Sequence, residues 1–154
     1  MNLASLRIVA LSLSLAAGAS LAADIAPTND KFTPARTKIA EKNWTAAIDE
    51  LKKVNDPASA EWNNLMGYSL RKADPVANAG EAEKFYNEAL RIEPRHRGAL
   101  EYSGELYLMT GNLAKAEERL AALDKACFLP CEEYSDLKKA VARYKAAGNK
   151  YVAQ

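Results

Sequence analysis

Two cysteines four positions apart, Cys127 and Cys131, are the residues of this chain best suited to covalent or metal chemistry. Pro130 lies between them, and because proline removes a helical hydrogen bond, one unbroken helix through both positions is unfavourable. The pair therefore brackets a junction between two helices. In an oxidising compartment, two nearby cysteines most readily form a disulfide. We expect a structural disulfide, with a redox-active thiol pair or a metal site as the alternatives.

Both alternatives lack supporting residues nearby in the sequence. A metal held by two thiolates needs further ligands, and the candidates are His96, the only histidine, and Met109, whose sulfur would suit Cu(I). The three-residue spacer differs from the Cys-x2-Cys spacing that usually lowers a thiol pKa, and Glu132 and Glu133 would oppose a thiolate at Cys131. The sequence predicts no bound metal and no cofactor.

Catalysis finds little support elsewhere in the chain. His96 falls in the turn Pro94–Arg97, where a solvated or helix-capping role is expected. Glu81, Glu83 and Glu88 lie on mixed faces of one predicted helix and indicate ordinary surface. No nucleophile has an evident base partner, and no glycine-rich phosphate loop occurs. We expect no enzymatic activity.

The first 22 residues have the pattern of a secretory signal peptide. Arg7 precedes the apolar run Ile8–Ala17, and Ser20–Ala22 supplies small residues for cleavage after Ala22. The uncharged stretch 8–23 has 16 residues, fewer than the roughly 18 of a membrane-spanning helix. No cysteine follows the cleavage site, which argues against a lipid anchor. We expect a periplasmic or secreted protein in which residues 23–32 form a flexible leader.

The charge balance argues against two classes of partner. The whole chain has 21 basic and 20 acidic residues, and removal of residues 1–22 takes away Arg7 alone, which leaves 20 of each. A neutral domain lacks the clustered Lys and Arg that attract nucleic acid or an anionic membrane. We therefore expect no nucleic-acid partner and no stable membrane insertion. The length of the mature chain suits a single domain.

Two stretches of the chain follow one helix-turn-helix pattern in register, Asn63–Pro94 and Leu100–Leu123. Each begins with a helix that carries a glycine and continues with a helix that opens on an alanine, where the two backbones would cross closely. The glycines are 37 positions apart because residues 74–80 contain a three-residue insertion. The matching positions are Asn63, Met66, Gly67, Leu70, Ala82, Tyr86, Ala89 and Pro94 in the earlier copy, and Leu100, Gly104, Tyr107, Ala116 and Leu120 in the later one.

This pattern resembles the tetratricopeptide-repeat family, whose motif reads W-x2-L-G-x2-Y, A-x3-F and P over about 34 residues. The resemblance implies an all-α fold, an α-solenoid of about three helical hairpins plus a C-terminal capping helix. A degraded first copy would have Thr33 as its helix N-cap, Pro34 at the first helical position and Trp44 in the turn. The implied domain is 33–154, with repeats at about 33–57, 60–94 and 97–126, and a capping helix at 130–147 that uses Leu137, Val141 and Tyr144.

The same resemblance implies that the first helix of each repeat lines a concave groove that binds another protein or peptide. Such a groove would run from a basic to an acidic end with tyrosines at its centre, and the acidic end would repel a C-terminal carboxylate. A partner segment with basic character at that end is the better candidate, although the same residues could simply be solvated helix faces. The implied groove residues are Arg36, Asn64, Tyr68, Arg71, Glu101, Tyr102 and Glu105.

The expected function is therefore a non-catalytic periplasmic adaptor or scaffold that recruits a partner in the cell envelope. The alternative is a thiol-redox or metal-handling protein that uses the Cys127–Cys131 turn. Self-association through an open end of the solenoid is a further expectation for the partner.

Overall fold

A computed structural model describes residues 30–129 and 131–152, and this part of the chain contains seven α-helices and no β-strand. The predicted signal peptide and all but the last three residues of the predicted leader lie outside the described residues. No helix in the described ranges is both long and apolar enough to cross a membrane. The helices are α1 Thr33–Ala40, α2 Trp44–Val54, α3 Ala60–Ala73, α4 Ala79–Ile92, α5 Arg97–Met109, α6 Leu113–Ala126 and α7 Glu132–Ala146.

The helices form three hairpins that stack in chain order. Helix α1 pairs with α2, α3 with α4, and α5 with α6, while α2 packs on α3 and α4 packs on α5 to join successive hairpins. The last helix, α7, packs on both α5 and α6. The all-α, solenoid-like arrangement of three hairpins and a C-terminal helix is confirmed.

Short polar side chains set the helix starts. Asn43, Ser59 and Asn112 each accept a hydrogen bond from the backbone amide three residues further on, which satisfies a free donor of the first turn. Because Asn43 caps α2, Trp44 is the first helical residue; the prediction that it lies in the turn was wrong. The predicted cap Thr33 is also wrong by one residue, since α1 is preceded by Phe32.

Local geometry also ends the helices where the sequence predicted. Glu93 takes an extended conformation before Pro94, so α4 ends at Ile92. Asn55 adopts a left-handed conformation with φ 46° after α2. The last helix starts at Glu132 and not at position 130, because Cys131 is extended at its N-cap position.

Two apolar clusters make the core. The first lies under the first two hairpins and the start of α5, where the buried Trp62 donates from Nε1 to the carbonyl of Leu51 at 2.8 Å. The second joins α5, α6 and α7. Its buried members include the predicted capping residues and their contacts on the third hairpin: Leu100, Tyr107, Leu108, Ala116, Leu123, Leu137, Val141 and Tyr144.

The two repeat glycines make different contacts. A Cβ at Gly67 would lie 2.9 Å from the Tyr86 ring and 3.1 Å from the carbonyl of Ala82, in line with the close hairpin crossing predicted for it. At Gly104 a Cβ would lie 2.5 Å from Leu137, and the three nearest atoms all belong to that leucine. Gly104 therefore accommodates the capping helix, and the prediction that it faces the alanine of its own hairpin was wrong.

Candidate functional site

The candidate site is a cavity of about 480 Å³ on the concave side, lined by first-helix side chains and by the turn before α5. Four of the predicted groove residues line it: Arg36 from α1, Asn64 and Tyr68 from α3, and Tyr102 from α5. The first helices of successive hairpins lie side by side here because their partners pack behind them. The tertiary structure thus brings together residues that are up to 66 positions apart in the sequence.

Aromatic side chains form one wall of the concave cavity. The rings of Tyr68 and Tyr102 have centroids 4.6 Å apart, and Trp44 packs edge-on against Tyr68 at 6.0 Å. Burial raises the pKa of both tyrosines, so their hydroxyl groups stay protonated at neutral pH. The wall offers large apolar faces with hydroxyl groups that can hydrogen-bond.

Asn64 lies at the base of the cavity and is only 5% exposed. Its Nδ2 is 3.4 Å from Oε2 of Glu61, a long hydrogen bond, and its Oδ1 has no partner among the described residues. Gly98 leaves space for this amide, since a Cβ there would lie 3.1 Å from Nδ2. A buried amide oxygen without a partner is costly unless a ligand or water satisfies it.

A network around Glu61 holds the rim of the cavity. Arg36 Nη1 lies 2.7 Å from Glu61 Oε1, and His96 Nε2 lies 3.0 Å from Oε2. His96 also accepts the amide hydrogen of Ala99 at Nδ1, so a neutral imidazole has its proton on Nε2 and donates it to Glu61. Burial alone would raise the pKa of Glu61, but the bond from His96 and the charge of Arg36 hold it below the ordinary value. The predicted capping role of His96 is confirmed.

Arg71, a predicted groove residue, lies beneath the tyrosines and is 2% exposed. Its Nη2 is 2.8 Å from Glu105 Oε2, an ion pair whose geometry falls short of a directional hydrogen bond. Its guanidinium carbon is 5.7 Å from the ring centroids of Tyr68 and Tyr102. Burial opposes this charge, but Tyr86 and Glu105 outweigh it and raise the pKa of Arg71. Since Arg71 and Glu105 neutralise each other, the predicted gradient from basic to acidic is absent.

Glu101 differs from the ordinary surface carboxylate that the sequence suggested. It is half-buried, and burial together with the charges of Glu105, Asp136 and Glu133 raises its pKa to about 8. Glu101 does not line the concave cavity. At neutral pH most copies of this side chain are uncharged, which weakens the predicted repulsion of a carboxylate.

Cys127 and Cys131 form the predicted disulfide, with Cα atoms 5.9 Å apart, at the junction of α6 and α7. Neither proposed helper ligand is used there. His96 is bonded to Glu61, and Met109 has its sulfur 3.7 Å from Arg71 Nη1. Within the described ranges, no group of three His, Cys, Asp or Glu side chains could hold a metal ion.

The disulfide loop has one property that the sequence reasoning missed. Phe128 is 100% exposed and Leu129 is 71% exposed. The signal was available, because a loop of three residues between bonded cysteines is too short to return two bulky side chains to the core. The loop thus presents apolar groups to solvent.

No protein-family model matches this chain, and a search of the curated proteins finds no similar sequence. Function is therefore inferred from the geometry of this chain. The features with functional content are the concave cavity with its unpartnered amide and the exposed disulfide loop.

Proposed function

We propose that this protein is a non-catalytic adaptor of the tetratricopeptide type, which binds an extended segment of another protein in the concave cavity. The observation that supports it best is Asn64, a buried amide at the base of the cavity with an unpartnered Oδ1. A side-chain amide both donates and accepts, which matches the N–H and C=O of a peptide group. A partner backbone would restore the missing hydrogen bond.

The surroundings of Asn64 suit a peptide better than a compact charged ligand. Tyr68 and Tyr102 supply apolar area that can pack on side chains of the partner, and tyrosine is favoured at interfaces for this reason. The nearest charged groups are already paired, as in the contact between Arg36 and Glu61. Affinity would then come from backbone hydrogen bonds and aromatic packing, with little dependence on salt.

We further propose that the protein acts in the cell envelope after removal of residues 1–22. The Cys127–Cys131 disulfide is compatible with an oxidising compartment. Its place between two helices supports a structural role, in which it fixes the start of the capping helix.

The test is capture of a partner from envelope extract by the mature chain. The site variants are Asn64→Ala/Tyr68→Ala and the exposed-rim variant Arg36→Ala, and Lys84→Ala on the exposed side of α4 is the matched control. We expect one binding protein to be retained by wild type and control, lost by the double variant and reduced by Arg36→Ala. A photo-crosslinking residue at Tyr102 should then attach to one extended segment of that protein.

Circular dichroism of each variant would separate lost binding from lost folding. Equal capture by Asn64→Ala/Tyr68→Ala and wild type would contradict the proposal. Capture lost only with Cys127→Ser/Cys131→Ser would move the function to the disulfide loop.

A further inference from the structure

The disulfide loop and its two exposed side chains are not used by the proposed function. Cys127 and Cys131 tie the ends of the loop together, so Phe128 and Leu129 cannot rearrange to bury themselves. A constrained loop loses little conformational entropy when it docks. The tip of this loop, Phe128 and Leu129, is called the apolar tip below.

A second cavity, of about 550 Å³, opens at another edge of the molecule. Its lining is mainly apolar, and Val76 stands 88% exposed at its mouth. It lies between the α3–α4 connection, the end of α5 and the C-terminal tail, and is called the edge cavity below. The apolar lining consists of Pro75, Val76, Ala79, Met109 and Tyr151.

The apolar tip and the edge cavity lie at opposite ends of α5. Arg97, the first residue of this helix, lies beside the disulfide loop, and Met109, the last, lines the edge cavity. A helix of 13 residues is about 20 Å long. The tip of a three-residue loop cannot cross that distance, so it cannot enter the cavity of its own chain.

The charges around the loop are mostly acidic. Asp124 and Glu132 are exposed on either side, and Lys125 is the neighbouring cation. Glu133 lies 3.5 Å from Arg97 Nε and is neutralised by it. The acidic surroundings argue against docking on an anionic membrane surface.

The mouth of the edge cavity carries the opposite charge. Lys72 lines it, and burial together with the charges of Arg71 and Lys42 lowers the pKa of Lys72. The acidic residue nearby in sequence, Asp74, is engaged through Oδ1 by the backbone amides of Val76 and Ala77 at 3.1 and 2.9 Å. The mouth is therefore complementary in charge to the surroundings of the apolar tip.

We propose that the apolar tip of one copy inserts into the edge cavity of a second copy. The two surfaces differ, so the contact is head-to-tail: each copy keeps a free tip at one end and a free cavity at the other. An apolar tip of two side chains buries less area than a stable dimer requires, so the association is weak and depends on concentration. It leaves the concave cavity open for the partner proposed above.

Sedimentation equilibrium of the mature chain, from about 10 µM to about 1 mM, tests the contact in the range expected for a weak interface. One variant, Phe128→Ser/Leu129→Ser, removes the tip and keeps the cavity. The other, Val76→Asp, blocks the cavity and keeps the tip. All three substituted positions are exposed, so folding should be unaffected.

We expect the average mass of wild type to rise with concentration and each variant alone to remain monomeric. An equimolar mixture of the variants should form a dimer and nothing larger, because it contains one intact tip and one intact cavity for each pair. A monomeric wild type throughout the range would overturn the proposal. So would self-association of Val76→Asp, or a mixture that stays monomeric, since the tip would then meet another surface.

Discussion

At the scale of single residues, the central feature is the buried ion pair of Arg71 and Glu105 beneath the tyrosine wall. Arg71 is 2% exposed and the side chain of Glu105 is 17% exposed, so both charges have given up most of their hydration. Such a pair contributes little net stability, but loss of one partner leaves an uncompensated charge. Its role is to fix the positions of Tyr68 and Tyr102, which lie against the guanidinium.

Arg71→Ala should lower the free energy of unfolding by about 3 kcal/mol, because Glu105 would be left without its partner. Arg71→Met/Glu105→Met should lower it by less than about 1 kcal/mol, since no charge remains to be compensated. Urea unfolding at neutral pH measures both. A double variant as unstable as the single one would show that lost packing, and not lost charge pairing, causes the effect.

Glu101 predicts a pH dependence of stability. Its pKa is raised from 4.5 to about 8, so the folded chain keeps this proton over a range in which the unfolded chain releases it. The stability from this proton is complete below about pH 4.5 and is lost as the pH rises through about 8. The loss should be on the order of 1–2 kcal/mol, because water screens a half-buried carboxyl.

Glu101→Gln should remove that loss, since the amide does not titrate. Urea unfolding at acidic and alkaline pH should give similar stabilities for the variant and wild type below pH 4.5, and a more stable variant above pH 8. Glu81→Gln, at an exposed position on α4, is the matched control. A parallel pH profile for wild type and Glu101→Gln would contradict the assignment.

At the scale of elements, α5 organises the second half of the molecule. It pairs with α6, packs on α4 and supports α7, while Tyr102 on its concave side completes the tyrosine wall. Gly104 permits the approach of α7, because a side chain there would meet the fully buried Leu137. The position of the capping helix thus depends on one missing Cβ.

Gly104→Ala should lower the free energy of unfolding by about 1–3 kcal/mol, since the added methyl group overpacks the contact with Leu137. Gly80→Ala in α4 is the matched control, because no atom lies within 4 Å of a Cβ there. It should be neutral or raise stability by up to about 1 kcal/mol through helix propensity. Thermal unfolding followed by circular dichroism compares them, and equal effects of the two substitutions would argue against the close packing of α5 and α7.

At the scale of the whole molecule, the chain is a stack in which each hairpin buries the face of its neighbour. Helix α7 covers the last hairpin, and without it Leu100, Tyr107 and Leu108 would lose much of their cover. Stacked architectures need such caps for solubility and stability. The C-terminal tail plays a smaller part, since Tyr151 remains partly exposed.

A chain that ends at Leu129, with Cys127→Ser to avoid a free thiol, should aggregate or lose its cooperative thermal transition. A chain that ends at Gly148 is the control, because it keeps α7 and removes only the tail. Size-exclusion chromatography and thermal unfolding measure both effects. If the shorter chain melted at the temperature of the intact protein, the second core cluster would not depend on α7.

The sequence by itself determined the features that depend on neighbours along the chain. Pro94 and the capping polar residues set helix limits, the spacing of Gly67 and Ala82 predicted a hairpin, and the separation of Cys127 from Cys131 predicted the disulfide. Arg36, Asn64, Tyr68 and Tyr102 could be placed on one groove because they recur on the first helix of each repeat. Membership in the tetratricopeptide family stays a prediction.

Only the tertiary structure decided what each of these side chains contacts across the stack. It buried Arg71 against Glu105, gave Glu101 a raised pKa beside other carboxyls, and set Gly104 against Leu137. Helical periodicity says which face a residue occupies, but not how far the next helix stands or at what angle it crosses. Burial, and with it the cost of a charge or an unpaired amide, depends on those distances.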